Sequence, residues 1–147
     1  MSDFDLERFV DGQARIYEQA LEELRAGRKE SHWMWFVFPQ LAGLGWSRMA
    51  QFYGIKGAEE ARAYLAHPLL GVRLVECTGA VTAKADRSAE AIFGSVDALK
   101  FRSSMTLFEA VSDDPKPFAR AIEIFYTGER DAATLARLGP RAARPRS

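Results

Sequence analysis

The 147-residue chain carries 20 basic and 20 acidic residues, is 48% hydrophobic and 12% aromatic, and contains one cysteine. This balance fits one soluble globular domain, and a chain of this size buries about two thirds of its unfolded surface without metals or disulfides. Zero formal charge argues against a general nucleic-acid or membrane-surface binder, and the lone Cys77 excludes an internal disulfide, so a reducing, cytoplasmic setting is expected.

Ser2 and Asp5 resemble a capping box, after which Leu6, Phe9, Val10, Ile16, Tyr17, Ala20, Leu21 and Leu24 recur at helical spacing. Asp11-Gly12 leaves two readings open, one amphipathic helix or a short helix followed by a longer one. Gly27 supplies a stop, and Arg28, Lys29 and Glu30 are expected to be exposed. The acidic N-terminus does not read as a signal peptide, and the longest apolar run, Trp33 to Phe38, is far short of the roughly 20 residues that cross a bilayer.

Residues 31–46 hold all three tryptophans, Trp33, Trp35 and Trp46, beside Phe36 and Phe38. Such rings bury about 150–250 Å² each, so the core is expected to be built against this stretch. Ser31 is a candidate N-cap for a helical turn that Pro39 ends; a strand would instead put Trp33, Trp35 and Val37 on one face. Helical neighbours favour the helix. Gly43 and Gly45 permit a tight turn or a close backbone approach.

Ser47 is a candidate cap for a short helix to Tyr53, and residues 57–66 are rich in helix formers. His67-Pro68 marks a boundary before a mostly buried helix carrying Leu69, Leu70, Val72, Leu74, Val75, Cys77, Thr78 and Val81. Ser88 caps a short helix ending near Gly94, and Ser95 opens the next, with Val96, Leu99, Phe101, Met105, Leu107 and Phe108 as its apolar positions. Further helices follow from Phe118 to Tyr126 and from Asp131 to Leu138, the last ending at Gly139-Pro140. The pattern predicts an all-α, single-domain multihelical bundle of about seven to nine short helices over residues 1–139, with a disordered basic tail over 140–147.

Two stretches carry chemistry. In the first, His32 is a candidate proton carrier, Trp33 and Trp35 could stack on a ring, and Gln40 offers an amide set in an apolar wall. In the second, Asp97, Lys100, Ser104 and, less centrally, Ser103 share one helix face, so an acid, an amine and hydroxyls come within reach of one another. A lysine beside hydroxyls binds phosphate or carboxylate, and the aspartate could orient a water or a sugar hydroxyl. The plainer alternatives are a surface Asp–Lys pair worth under about 1 kcal/mol, a histidine bonded to backbone and tryptophans that only fill the core. His67 reads as capping or packing, and Cys77 as a small buried hydrophobe. The two histidines lack metal-ligand spacing, Lys100-x-x-Ser103 reverses the order used by acyl-transfer serines, and no metal or cofactor is implied.

Residues 31–40 with Gly43-Leu44-Gly45, then Glu60-Ala61-Arg62-Ala63-Tyr64-Leu65-Ala66-His67-Pro68, Ile92-Phe93-Gly94, and Lys100 followed by Ser103-Ser104-Met105-Thr106-Leu107-Phe108, resemble a bacterial family of unknown function often labelled calpastatin. The resemblance runs from about Phe9 to Leu135 and implies a compact multihelical fold with no established activity. The label itself sits badly with this composition, because a calpain inhibitor would be a polar, repeat-bearing, disordered chain. The layout of Trp, Lys and Met motifs also distantly resembles the NADAR family, associated with N-glycosidic chemistry on ADP-ribose-type or riboflavin-pathway compounds, from which no catalytic residue carries over.

The reading is therefore a small helical protein with an aromatic-lined pocket for a small anionic, nucleotide-like ligand. Trp33, Trp35, Gln40, Lys100, Ser103 and Ser104 would bind it, with His32 or Asp97 handling a proton if it is hydrolysed. The competing reading is a non-enzymatic protein-interaction module.

Overall fold

Ten helices follow one another among the described residues, 4–142 of the computed structural model: α1 (Glu7–Gln13), α2 (Tyr17–Ala26), α3 (Met34–Val37), α4 (Arg48–Tyr53), α5 (Ala58–Ala66), α6 (Leu70–Thr82), α7 (Ala89–Phe93), α8 (Ser95–Val111), α9 (Lys116–Tyr126) and α10 (Ala132–Ala142). The all-helical class stands, with the count slightly above the expected seven to nine.

The N-terminal pattern resolves into the two-helix alternative. Gly12 does not break the chain but lies inside α1, where a Cβ would meet the Phe36 ring at 2.8 Å and the Tyr53 hydroxyl at 3.0 Å. Its lack of a side chain lets the aromatic segment lie against α1. The chain turns three residues later, and Gly27 ends α2 in the left-handed conformation at φ 76°.

Ser47 and Ser88 cap α4 and α7, their hydroxyls accepting from the amides of Ala50 and Ala91 at 3.1 and 3.0 Å. His67 Nδ1 accepts from the amides of Leu69 and Leu70 at 3.1 and 3.2 Å, which makes the ring the cap of α6. The aromatic stretch is helical over Met34–Val37, but Ser31 does not cap it: Trp33 stands at the cap position, and the Ser31 hydroxyl donates to Glu23.

Helix α8 is the axis, packing against α5, α7, α9 and α10, while α6 packs against α2, α5 and α9. Phe101 of α8 meets Phe38 edge-on at 4.9 Å and stacks on Phe93 at 4.8 Å, and Phe108 lies 5.4 Å from Tyr64 and 6.0 Å from Phe118. The aromatic stretch is thus packed directly onto the central helix.

Four residues expected inside are not. Val72 and Val75 of α6, and Val96 and Leu99 of α8, are exposed, the α8 pair by 64% and 59%. Each helix already fills its packed face, α6 with Leu70, Leu74, Cys77 and Val81 and α8 with Phe101, Met105 and Phe108, so additional apolar residues fall outside the stripe.

An isolated bridge joins Leu41 to Ile55, with Ala42 donating to the Ile55 carbonyl at 2.8 Å and the Ile55 amide to the Gln40 carbonyl at 2.9 Å. Helix α10 kinks at Gly139, φ 79°, and the remainder of the predicted tail, residues 143–147, lies outside the described residues, as does the proposed Ser2 cap. Among the described residues no helix is long and apolar enough to cross a membrane.

Candidate functional site

The loop from α2 into α3 is held by one carboxylate. Glu23 sits on the inward side of α2 and accepts from the amides of Glu30 and Ser31 at 2.8 and 3.0 Å, the Ser31 hydroxyl at 2.6 Å, the Trp33 Nε1 at 2.9 Å and the Gln19 Nε2 at 3.0 Å. Burial alone would raise its pKa, but the donors from Ser31, Glu30 and Trp33 outweigh it and hold the carboxyl down to about 2. Trp33 is completely buried by this arrangement. Its ring belongs to the core, and of the two neighbouring tryptophans it is Trp35 that reaches a cleft.

Lys29 also departs from expectation. Its side chain is only 8% exposed, with Nζ 2.9 Å from Asp97 Oδ2 and 5.1 Å from the centroid of the Trp33 ring. The other oxygen of Asp97 lies 3.8 Å from Lys100 Nζ, one turn along α8. One carboxylate therefore stands between two ammonium groups, leaving the cluster with a surplus positive charge. Lys100 in turn lies over Trp35, its Nζ 5.5 Å from the ring centroid.

Met34, Trp35, Phe38, Gln40, Ala50, Tyr53, Gly54 and Lys100 line a narrow cleft between α3, α4 and α8. It encloses about 260 Å³ when its open mouth is included, but the interior has room for roughly one water molecule. The walls are mostly apolar, with Lys100 the only charged lining residue and the Gln40 amide and Tyr53 hydroxyl adding polar groups. The indole N–H of Trp35 is buried and makes no hydrogen bond among the described residues. Burial, with the Asp11 charge second, raises the Tyr53 pKa, so its phenol stays protonated and able to donate.

The structure thus brings Trp35, Gln40 and Lys100 to one hollow and ties Asp97 to Lys100. Ser103 donates back to the Leu99 carbonyl at 3.2 Å within α8, and Ser104 is fully buried with a hydroxyl that makes no hydrogen bond among the described residues. His32 is exposed and does not line the cleft.

Sequence reasoning missed Lys29, Tyr53 and Glu23. A signal existed for Glu23, which lies three positions from Ala20 on the buried side of α2, where a carboxylate must be compensated. No comparable signal marks Lys29, whose partner is 68 positions away and whose neighbours Arg28 and Glu30 are exposed.

Elsewhere, a more open groove of about 920 Å³, solvent-facing space included, lies between α5, α6 and the start of α9 and is lined by Arg62, Leu65, Val75, Asp113, Asp114 and Phe118 among others. It holds none of the residues singled out above, so the narrower cleft is the better candidate despite its size. Cys77 is buried, and desolvation pushes its thiol up to about 12, which leaves it unreactive. Among the described residues no group of three or more His, Cys, Asp or Glu is placed to hold a metal ion.

Fold and cleft together define a small all-helical protein in which an aromatic segment and a lysine-bearing central helix meet at one surface. The chain belongs to the family described as protein of unknown function DUF1810, whose model matches residues 3–138. It is similar to the crystal structure of the conserved hypothetical protein Rv1873 from Mycobacterium tuberculosis, with 55% identity over 93% of this chain and 98% of that one and a TM-score of 0.92. No curated protein matches it.

Proposed function

We propose that the protein binds a small anionic, nucleotide-like ligand at the Trp35–Lys100 cleft. The observation that carries the reading is the placement of Lys100 Nζ 5.5 Å over the Trp35 ring, both lining a cleft that also holds the Gln40 amide. A planar π-face, a cation and a two-sided amide are complementary to a compound joining a flat ring to a phosphate or carboxylate. Asp97 supports this by position: ion-paired on both oxygens, it serves better to aim Lys100 than to accept a proton. Binding is therefore the reading preferred over hydrolysis, and His32 and Asp97 are not needed as catalysts for it. Trp33, Ser103 and Ser104 contribute from behind the wall rather than by touching the ligand.

The rival, a protein-interaction module, draws on the exposed apolar side chains of Trp46, Met49 and Phe52 beside the same cleft. Thermal-shift titration with mononucleotides, dinucleotides and ADP-ribose separates the two. A ligand at 100 times its dissociation constant adds about 2.7 kcal/mol, which reads as a rise of several degrees. Lys100→Ala should abolish the shift and leave the basal melting temperature within about one degree, because its Asp97 contact is long and partly exposed. A panel that leaves the wild-type protein unmoved at millimolar concentration refutes the reading in favour of the rival.

A further inference from the structure

The cleft poses a steric problem for the function proposed above. Its interior accommodates about one water, whereas a nucleotide-like ligand needs a pocket of roughly 300 Å³ or more. One wall has to move. The Trp35 wall is continuous with buried Met34, Phe36 and Val37, and the Lys100 wall is the central helix α8. The third wall is α4, which fully buries no residue: its Tyr53 end packs against Phe9 and Phe36, while Arg48, Met49 and Gln51 of its other turn are exposed.

Residues 42–54 leave and rejoin the body at one point, where the Leu41–Ile55 bridge closes the neck with two backbone hydrogen bonds. The neck is pinned from both sides. Arg8 donates to the carbonyls of Phe52 and Gly54 at 2.8 and 3.0 Å, and Arg137 donates to the Gly43 carbonyl at 3.3 Å. Between those pins the hydrogen bonds described for residues 44–51 are internal: Ala50 and Gln51 amides to Ser47, and the Gln51 side chain to the Trp46 carbonyl. A Cβ on Gly45 would meet the Ala50 methyl at 2.6 Å, so residues 45–51 are folded tightly on themselves, while Leu44 before them packs against the core. A surface loop with a fixed neck and a self-contained interior has the build of an Ω-loop.

The strap carries the most exposed large hydrophobic side chain described, Trp46 at 92%, with Phe52 at 57% beyond it. Leaving an indole in water forgoes the largest burial any side chain offers, and Trp46 follows Gly45, whose Cβ position lies 3.6 Å from the Gln40 Nε2 that lines the cleft, so a ligand seated there would come close to it. The body already supplies an aromatic face and a cation at Trp35 and Lys100. The piece missing for gripping a flat ring is a second face.

We infer that residues 45–51 form a strap that swings aside to admit the ligand and closes with Trp46 against its planar group, so that the ring is held between Trp46 and Trp35 while Lys100 takes the anionic part. This rests on the cleft being the binding site, and the test keeps the two ideas apart.

Isothermal titration of the full chain with ADP-ribose and with inorganic pyrophosphate, a ring-free anion, is carried out on wild type, Trp46→Ala, Trp46→Phe and Lys100→Ala. The strap predicts that Trp46→Ala weakens ADP-ribose about tenfold or more, leaves pyrophosphate and the melting temperature unchanged, and is rescued by Trp46→Phe. Lys100→Ala should weaken both ligands. If Trp46→Ala binds ADP-ribose like wild type while Lys100→Ala does not, the strap is wrong and the cleft stands. If Trp46→Ala lowers the melting temperature by several degrees, or weakens both ligands equally, the indole is structural and the strap is likewise overturned. If neither ligand binds wild type, the cleft reading falls and takes the strap with it.

Discussion

Glu23→Ala should be among the most destabilising substitutions in the chain. The carboxylate receives donors from Gln19, Glu30, Ser31 and Trp33, the last from an indole with no exposure to solvent. Orphaning that buried N–H alone costs about 1–3 kcal/mol, and each hydrogen bond to a charged acceptor contributes on the order of 1.5–3 kcal/mol. The loop amides and the Ser31 hydroxyl can regain water once the carboxylate is gone, so the total comes to about 3–5 kcal/mol, a large part of the roughly 5–15 kcal/mol a domain possesses. The pH dependence carries a second signature. The folded pKa of about 2 lies below the ordinary 4.5, so the stabilisation is fully present above pH 4.5 and disappears as pH falls from there towards 2. Urea unfolding of wild type and Glu23→Ala, repeated between pH 7 and pH 2.5, isolates this group because the other carboxylates cancel in the difference. The two stabilities should draw together as the solution is acidified. A deficit below about 1 kcal/mol at pH 7, or one that does not change with pH, would refute the account.

Arg8→Ala strips the counterion from Glu60, whose side chain is completely buried 2.8 Å from the guanidinium, and should cost about 3–5 kcal/mol by urea unfolding. A loss under about 1 kcal/mol would refute the dependence of Glu60 on this counterion. Two glycines of α6 should respond oppositely to alanine. At Gly71 a Cβ would lie 2.0 Å from the Leu65 carbonyl oxygen, a backbone atom that cannot yield without parting α5 from α6, so more than about 3 kcal/mol should be lost. At Gly79 nothing lies within 4 Å, and alanine should gain up to about 1 kcal/mol by helix propensity, a contrast that thermal melts read directly.

The helices were legible where their signals are local. The Ser47 and Ser88 caps, the Gly27 stop and the His67-Pro68 boundary depend on atoms within a few residues of one another, and each helix boundary falls beside them. Ser31 misled because its hydroxyl had two uses, capping the next turn or meeting a carboxylate eight residues back, and only the packing of Trp33 selects the second. Periodicity likewise named apolar residues without saying how wide a stripe would be covered, which left Val72, Val96 and Leu99 on the outside. The pairing of Lys100 with Trp35 follows from Phe38, just past α3, packing on Phe101 of α8, a long-range arrangement that neither segment encodes alone.

That arrangement has a cause in the α2–α3 loop. Glu23 fixes the backbone at Glu30 and Ser31 and the indole of Trp33, which sets where α3 begins and hence where Trp35 lies. One residue upstream of that clamp, the Lys29 amide donates to the Ile92 carbonyl at 2.7 Å, and its ammonium reaches Asp97 on the first turns of α8. The same short loop thus holds both walls of the cleft, the aromatic one through a carboxylate and the cationic one through an amine. Because Asp97 divides its two oxygens between Lys29 and Lys100, loss of Lys29 would leave Asp97 to pair with Lys100 alone and draw that ammonium away from Trp35. Lys29 thus stands behind the cleft without lining it, its nearly buried ammonium on one oxygen of Asp97, with Lys100, which does line the hollow, on the side of the other.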